Sequence, residues 1–487
     1  MTARGRSRPA RRSRRSLWHL LPEVTRVLRA ARLRPADLPA LTALGSGAGQ
    51  AAAEDDGRLR GHGLTLAGVG LWAARRAGDR PVLIDDGGPV SGTALLHLVA
   101  GIADELRGEK AVVVSRADDR RLVATLIAAG TVGVDVVLLG PRTGADERVA
   151  AHRRAEDLAG AAHPQQRRGR VPAVVLHSSG TTGKPHPRTQ RDVNLAQLPT
   201  LVSLIAALGL RRGDPMLLAA PVSHGHGLSA LAAGLLLGAP VLLGAARHSD
   251  RGLAQLAEYR VRTWVGLPTQ LADLLAADAA VGASTGSPGR SALRGLRRIV
   301  TGSAPLPEEL VTDVRRRVGE VLVNYYGSTE AGTVTIARPA DLAAVPATVG
   351  RPATGVTIEV RDHAGRVAPV GQVGEVVLRS QWRAPGEPMW IHSKDRGRLD
   401  ETGRLVLAGR SDDAVLVGGH VVSLAAVTTW LCSRPGVQEV TVWAQPHERL
   451  GSVLAARVRG RADLSELHAE ARAALGDAAA PRQLLPW

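Results

Sequence analysis

The sequence predicts an α/β protein on three observations. Unbroken apolar runs at Ala111-Val112-Val113-Val114, Val136-Val137-Leu138-Leu139 and Ala173-Val174-Val175-Leu176 have the length and β-branched content of strands buried on both faces. Helix-patterned stretches separate them and continue to about residue 340, the alternation of a sheet covered on both sides. The chain is 487 residues long with 44% apolar residues. At roughly 100–200 residues per domain it is long enough to bury a large core without disulfide or metal staples.

The elements follow in order. Residues 1–60 form a basic arm and an Arg/Ala/Leu-rich helical segment. Arg4, Arg6, Arg8, Arg11, Arg12, Arg14 and Arg15 stand in its first 16 positions without an acidic residue. Such a block is expected to be solvated and to touch anionic surfaces, including a membrane face peripherally. Pro81-Val82-Leu83-Ile84-Asp85 is a strand running into a turn at Asp86-Gly87-Gly88. Residues 122–140 and 228–246 repeat one scheme: an apolar helix, a glycine-marked turn and a buried strand. The second stretch is uncharged over 19 residues, near a membrane-spanning length, but Gly238-Ala239-Pro240 breaks it. Residues 142–170 are polar and Arg-rich, a linker or a surface helix. From residue 350 to 409 short strands and turns replace the alternation, and a small terminal unit follows Asp412.

Composition excludes several classes. The single cysteine, Cys432, rules out a disulfide framework and a Cys-rich zinc site, and suits a cytoplasmic interior. Three of the 62 basic residues are lysine (Lys110, Lys184, Lys394) and phenylalanine is absent, a bias that GC-rich coding explains and that leaves a core of Leu, Val and Ala. The net charge of +17 is dispersed outside the first residues, so a specific nucleic-acid surface is not indicated.

The chemistry concentrates at Ser178-Ser179-Gly180-Thr181-Thr182-Gly183-Lys184-Pro185, which follows the apolar run at 173–176. Glycines let backbone N–H groups turn toward an anion, and the hydroxyls add donors. It is not a Walker loop, because Ser178 replaces the first glycine and Pro185 the Ser/Thr after lysine. Four further segments follow: Pro221-Val222-Ser223-His224-Gly225-His226-Gly227-Leu228, Gly302-Ser303-Ala304-Pro305-Leu306, Asn324-Tyr325-Tyr326-Gly327-Ser328-Thr329-Glu330, and Asp395 within Ser393-Lys394-Asp395-Arg396-Gly397, closed by Gly409-Arg410-Ser411-Asp412-Asp413. Together, over about residues 80–460, they resemble the adenylate-forming superfamily of acyl-CoA synthetases and AMP-dependent ligases.

That resemblance implies two parallel-sheet α/β subdomains with a small β-rich one in an AMP-binding domain at 61–411, and a shortened α+β C-terminal domain at 412–487. It implies that a carboxylic acid, expected to be fatty, is activated with ATP and Mg²⁺ to an acyl-adenylate and passed to coenzyme A. By the same resemblance Ser178, Ser179, Gly180, Thr181, Thr182, Gly183 and Lys184 embrace the β/γ-phosphates. Thr329 contacts phosphate and Glu330 holds Mg²⁺. Gly302, Ser303, Ala304, Asn324, Tyr325, Tyr326 and Gly327 bind adenine, with Tyr326 stacked on the ring. Asp395 and Arg410 bind ribose, Asp412 is the hinge, and Gly418-Gly419 admits the coenzyme A thiol. His224 gates the acyl pocket, where Gly225, Gly227, Gly266 and Gly302 are expected to leave room for a long or bulky chain. A metal pair at His224 and His226 lacks a third ligand nearby.

The pattern departs from the family in places. His186 and Pro187 stand where Lys and Gly are common, and Lys394 where Gly is expected. The family's Thr-Gly-Lys element has no counterpart after Lys394, so impaired adenylation is expected, and a nucleotide- or acyl-binding pseudoenzyme acting as an interaction module is the alternative.

Overall fold

Two sheets share a layer of helices. The computed structural model describes residues 65–140, 145–160, 172–178, 186–190, 198–211, 213–244, 249–285, 291–328, 331–382, 388–410, 414–417, 420–447 and 451–487. The basic arm lies outside these residues. In the smaller sheet Ala111–Ser115, Asp135–Leu139 and Val174–Ser178 run parallel, the three strands expected from the apolar runs. His186–Gln190 turns back antiparallel to the last of them.

The larger sheet has 13 strands. Its parallel centre comprises Pro81–Asp85, Val241–Leu242, Met216–Leu218, Thr263–Val265, Arg298–Gly302 and Leu322–Ser328. Gly88–Ser91 closes one edge antiparallel. On the other side Gly332–Ala337 and Thr348–Pro352 lead antiparallel into Leu405–Arg410, Ile391–Leu399, Gly374–Arg379 and Thr357–Arg361. The β-rich region is thus continuous with the central sheet.

Successive strand residues serve different cores, as the two-residue period requires. Met216, Leu218, Val300 and Val323 face the helix layer between the sheets, while Leu217, Ile299 and Leu322 face the opposite layer. Val136 and Leu138 reach the shared layer from the smaller sheet, and Val137 turns away. The two helix–turn–strand units form as read: helix Arg120–Val132 precedes strand Asp135–Leu139, and helix Gly225–Leu236 precedes Val241–Leu242. Asp119 caps the first helix by accepting from Leu122 N at 2.8 Å, and Gly133 ends it at φ 84°. The polar stretch after residue 142 contains the helix Ala145–Gly160.

Residues 414–487 build a core of their own around Leu431, Leu454, Ala456 and Leu467. Val437–His447 pairs antiparallel with Gly451–Gly460, and Gln483–Pro486 adds in parallel. Cys432 is a half-buried free thiol packed against this cluster. Among the described residues no helix is long and apolar enough to cross a membrane.

Candidate active site

Four of the segments singled out in the sequence stand at or after the carboxyl end of a parallel strand, and Asp395 lies within an antiparallel one. Val174–Ser178 leads to the phosphate loop, Met216–Leu218 to residues 219–228, Arg298–Gly302 to Ser303 and Ala304, and Leu322–Ser328 to Thr329 and Glu330. Open α/β sheets bind ligands outside that edge.

Asn324 and Tyr325 lie in register beside Thr301 and Gly302 on the adjoining parallel strand. Asn324 is buried, and the Thr301 hydroxyl donates to its Oδ1 at 3.2 Å, which fixes the amide. Gly302 is required by crowding: a Cβ there would lie 2.8 Å from the Tyr325 carbonyl oxygen and 3.1 Å from its ring. Ser303 follows at φ 63°, a left-handed conformation unusual for a residue with a side chain, and is hydrogen-bonded to the Tyr325 side chain. Burial raises the Tyr325 phenol well above its usual pKa, and the Ser303 hydrogen bond opposes part of that rise.

Tyr326 turns the other way. Its hydroxyl donates to Asp395 Oδ2, joining two sequence-predicted residues that are 69 positions apart. Asp395 faces Arg410 across the antiparallel pair Ile391–Leu399 and Leu405–Arg410, where the register is broken by a bulge. Ser393 Oγ accepts from the Asp395 N–H at 3.1 Å and donates to the Val376 carbonyl at 2.7 Å. Lys394 stands at φ 61°, so the position where glycine was expected does adopt the conformation that favours glycine. A carboxylate, a phenol and a fixed amide are therefore brought together at one edge of the sheet.

On the acyl side, His224 is exposed and its Nδ1 lies 3.2 Å from Ser223 Oγ. It immediately precedes the helix Gly225–Leu236, in which His226 is buried. The His226 ring meets Tyr325 edge to face, with centroids 4.7 Å apart. Among the described residues neither ring nitrogen has a hydrogen-bond partner. Burial, with a smaller push from neighbouring His224, lowers the His226 pKa to about 3, so the ring is neutral. Among the described residues no group of three or more His, Cys, Asp or Glu side chains could hold a metal ion.

At three of the four glycines expected to leave room, Gly227, Gly266 and Gly302, the space a side chain would take is already filled. A Cβ at Gly227 would lie 2.1 Å from the Pro221 carbonyl oxygen. One at Gly266 would lie 2.4 Å from the Trp264 ring, and Gly302 is covered by Tyr325. These glycines permit close packing of neighbours, so they do not enlarge a pocket.

Ser178 is described only as a strand backbone, as is Arg410. Ser179, Gly180, Thr181, Thr182, Gly183, Lys184, Thr329, Glu330, Asp412, Gly418 and Gly419 lie outside the described residues. Two positioning residues escaped the sequence reading. Both Asp118 carboxylate oxygens accept from the Val222 N–H at 3.3 Å, tying the smaller sheet to the acyl segment. Gln270 accepts from Leu267 N at 2.8 Å and donates to the Ala219 carbonyl at 2.9 Å. Nothing local announces either contact.

The family described as AMP-binding enzyme matches residues 108–386. A fatty acid–[acyl-carrier-protein] ligase, ScoC of Streptomyces coeruleorubidus, is 30% identical over 312 residues, covering 59% of this chain and 57% of the relative. The medium-chain fatty-acid–CoA ligase of Escherichia coli K12 is 30% identical over 297 residues, 57% of this chain and 50% of the relative. The chain thus matches about half the length of these curated relatives. Among solved structures, the amide bond synthetase McbA from Marinactinospora thermotolerans superposes with TM-score 0.65 at 25% identity, covering 87% of this chain and 96% of that one. The o-succinylbenzoate CoA synthetase MenE of Bacillus subtilis, solved with its acyl-adenylate intermediate, gives TM-score 0.67 at 21% identity over 86% and 94%, a likeness of fold.

Proposed function

The chain belongs to the AMP-binding enzyme family, and from that premise we propose that it is an ATP-dependent ligase that adenylates a carboxylic acid. A carboxylate oxygen attacks the α-phosphate of ATP, pyrophosphate leaves, and a nucleophile then takes the acyl group and releases AMP. The observation that carries the reading is the Tyr326–Asp395 hydrogen bond beside the fixed Asn324 amide. One phenol face, one ribose acceptor and one adenine-edge amide make a set suited to adenosine. In this reading the AMP-binding unit is residues 61–411 and the C-terminal unit residues 412–487, with Asp412 the hinge between them.

Tyr326 stacks on adenine, Asp395 accepts from the ribose hydroxyls, and Arg410 opposite it donates to them. The donors from Ser178 to Lys184, with Thr329, hold the phosphates through hydrogen bonds that strengthen as charge builds on phosphorus. Glu330 supplies a carboxylate for the Mg²⁺ that accompanies ATP, an ion that prefers oxygen ligands. We take coenzyme A as the acceptor, with Gly418 and Gly419 admitting its thiol. The relatives' own acceptors range from coenzyme A to a carrier protein and, for an amide bond synthetase, an amine.

A hydroxamate-trapping screen of carboxylic acids with Mg-ATP, scored by product mass, tests the reading. Acyl hydroxamate with stoichiometric AMP supports it. Nucleotide-induced stabilisation without turnover of any acid would favour the pseudoenzyme instead.

A further inference from the structure

We infer that His226 selects the acid: the substrate carries a hydroxyl or carbonyl near its carboxylate, and is not a saturated fatty acid. The inference rests on the adenylating function proposed above. His226 belongs to the acyl-side segment, yet its ring lies against Tyr325, which in turn is held by Ser303 of the nucleotide side. His226 thus stands where the acyl-side residues touch the adenine-side residues, and an acid joined to the nucleotide passes from one set to the other. The wall at that meeting point is polar.

A neutral imidazole offers one N–H donor and one lone pair. Here both are buried and, among the described residues, without a partner, with His226 6% exposed. Buried polar groups in folded proteins are satisfied in the large majority of cases, so each exception calls for a partner such as a water, an ion or a ligand. A hydroxyl or carbonyl on the acid satisfies one ring nitrogen, whereas a methylene chain leaves both desolvated and unpaired. Such sites reject the analogue lacking the polar group far more strongly than an apolar pocket rejects an added one.

Wild type, His226→Phe and His226→Asn are each assayed for pyrophosphate release with hexanoate, 2-hydroxyhexanoate, 3-oxohexanoate and palmitate. Phenylalanine keeps the ring that packs on Tyr325, and asparagine keeps a donor and an acceptor. The wild type is expected to favour the better of the two polar acids over hexanoate by at least about tenfold in kcat/KM. His226→Phe should lose or invert that ratio, while His226→Asn should retain part of it. The AMP-induced rise in melting temperature should be the same in wild type and His226→Phe. In parallel, the Kd values of paired acylsulfamoyl adenosines carrying hexanoyl or 2-hydroxyhexanoyl groups report the same ratio without turnover. Equal preference in wild type and His226→Phe, or a wild type that prefers hexanoate or palmitate, overturns this inference alone. Absence of any AMP stabilisation removes the adenylating function and this inference with it.

Discussion

Replacing His226 by phenylalanine should flatten the acid limb of the protein's stability, by an amount the structure sets. An unfolded histidine titrates near 6.5, whereas burial holds the folded His226 at about 3. Below pH 6.5 the unfolded chain therefore takes up a proton that the folded chain refuses. Stability then falls as pH falls, and the loss is complete only near pH 3. At about 1.36 kcal/mol per unit, lowering the pH from 7 to 5 should cost the wild type about 2 kcal/mol through this residue alone. The full loss by pH 3 is on the order of 5 kcal/mol. Phenylalanine also removes two unpaired nitrogens and adds ring volume, effects of opposite sign and similar size, each about 1–3 kcal/mol. Neither depends on pH, so both cancel in the difference between pH values. Urea unfolding followed by tryptophan fluorescence at pH 7 and pH 5 measures that difference, with m held as a check on the transition. Parallel losses in wild type and His226→Phe would show that the ring is solvated or partnered in solution. The claim that a ligand completes it would then lose its basis.

Three other substitutions probe the nucleotide side. Asp395→Ala removes the acceptor for Tyr326 and for ribose; hydrogen bonds to charged groups contribute about 1.5–3 kcal/mol, so AMP should bind roughly ten- to hundredfold more weakly by calorimetry. Glu330→Gln should lower adenylation by at least about hundredfold while leaving the AMP-induced thermal shift in place, and equal loss of both would assign Glu330 a structural role. Gly302→Ala forces a methyl against the Tyr325 backbone, which cannot rotate away, and should cost about 1–3 kcal/mol in unfolding together with a reduced AMP shift.

Much of this architecture was legible because strand and helix periods are local. The runs at 111–114, 136–139 and 173–176 became strands, and the uncharged stretch at 228–246 became a helix, a turn and a strand. Pairing partners were not legible. Pro81–Asp85 joins Val241–Leu242 and not its near neighbour Ala111–Ser115, a choice made by packing across the whole sheet. The residues proposed for adenosine were readable through their motifs, but the contact between Tyr326 and Asp395 spans 69 residues and exists only once the β-rich strands dock beside the central sheet. His226 shows the limit most clearly. In an extended segment it would share a face with His224, whereas a helix beginning at Gly225 buries one ring and leaves the other exposed. The glycines misled for a related reason, since sequence gives the small residue without the neighbour that fills its space.

The central claim is that a carboxylate oxygen becomes bonded to the α-phosphorus of ATP, and oxygen labelling follows that bond. A carboxylic acid enriched with ¹⁸O in both oxygens is incubated with the protein, Mg-ATP and an acceptor, either coenzyme A or hydroxylamine, and the AMP released is weighed by mass spectrometry. Attack on the α-phosphate followed by acyl transfer leaves one carboxylate oxygen on phosphorus, so the account predicts AMP carrying a single ¹⁸O and unlabelled pyrophosphate. Label in inorganic phosphate with ADP as the nucleotide product, or unlabelled AMP alongside acyl product, would contradict it.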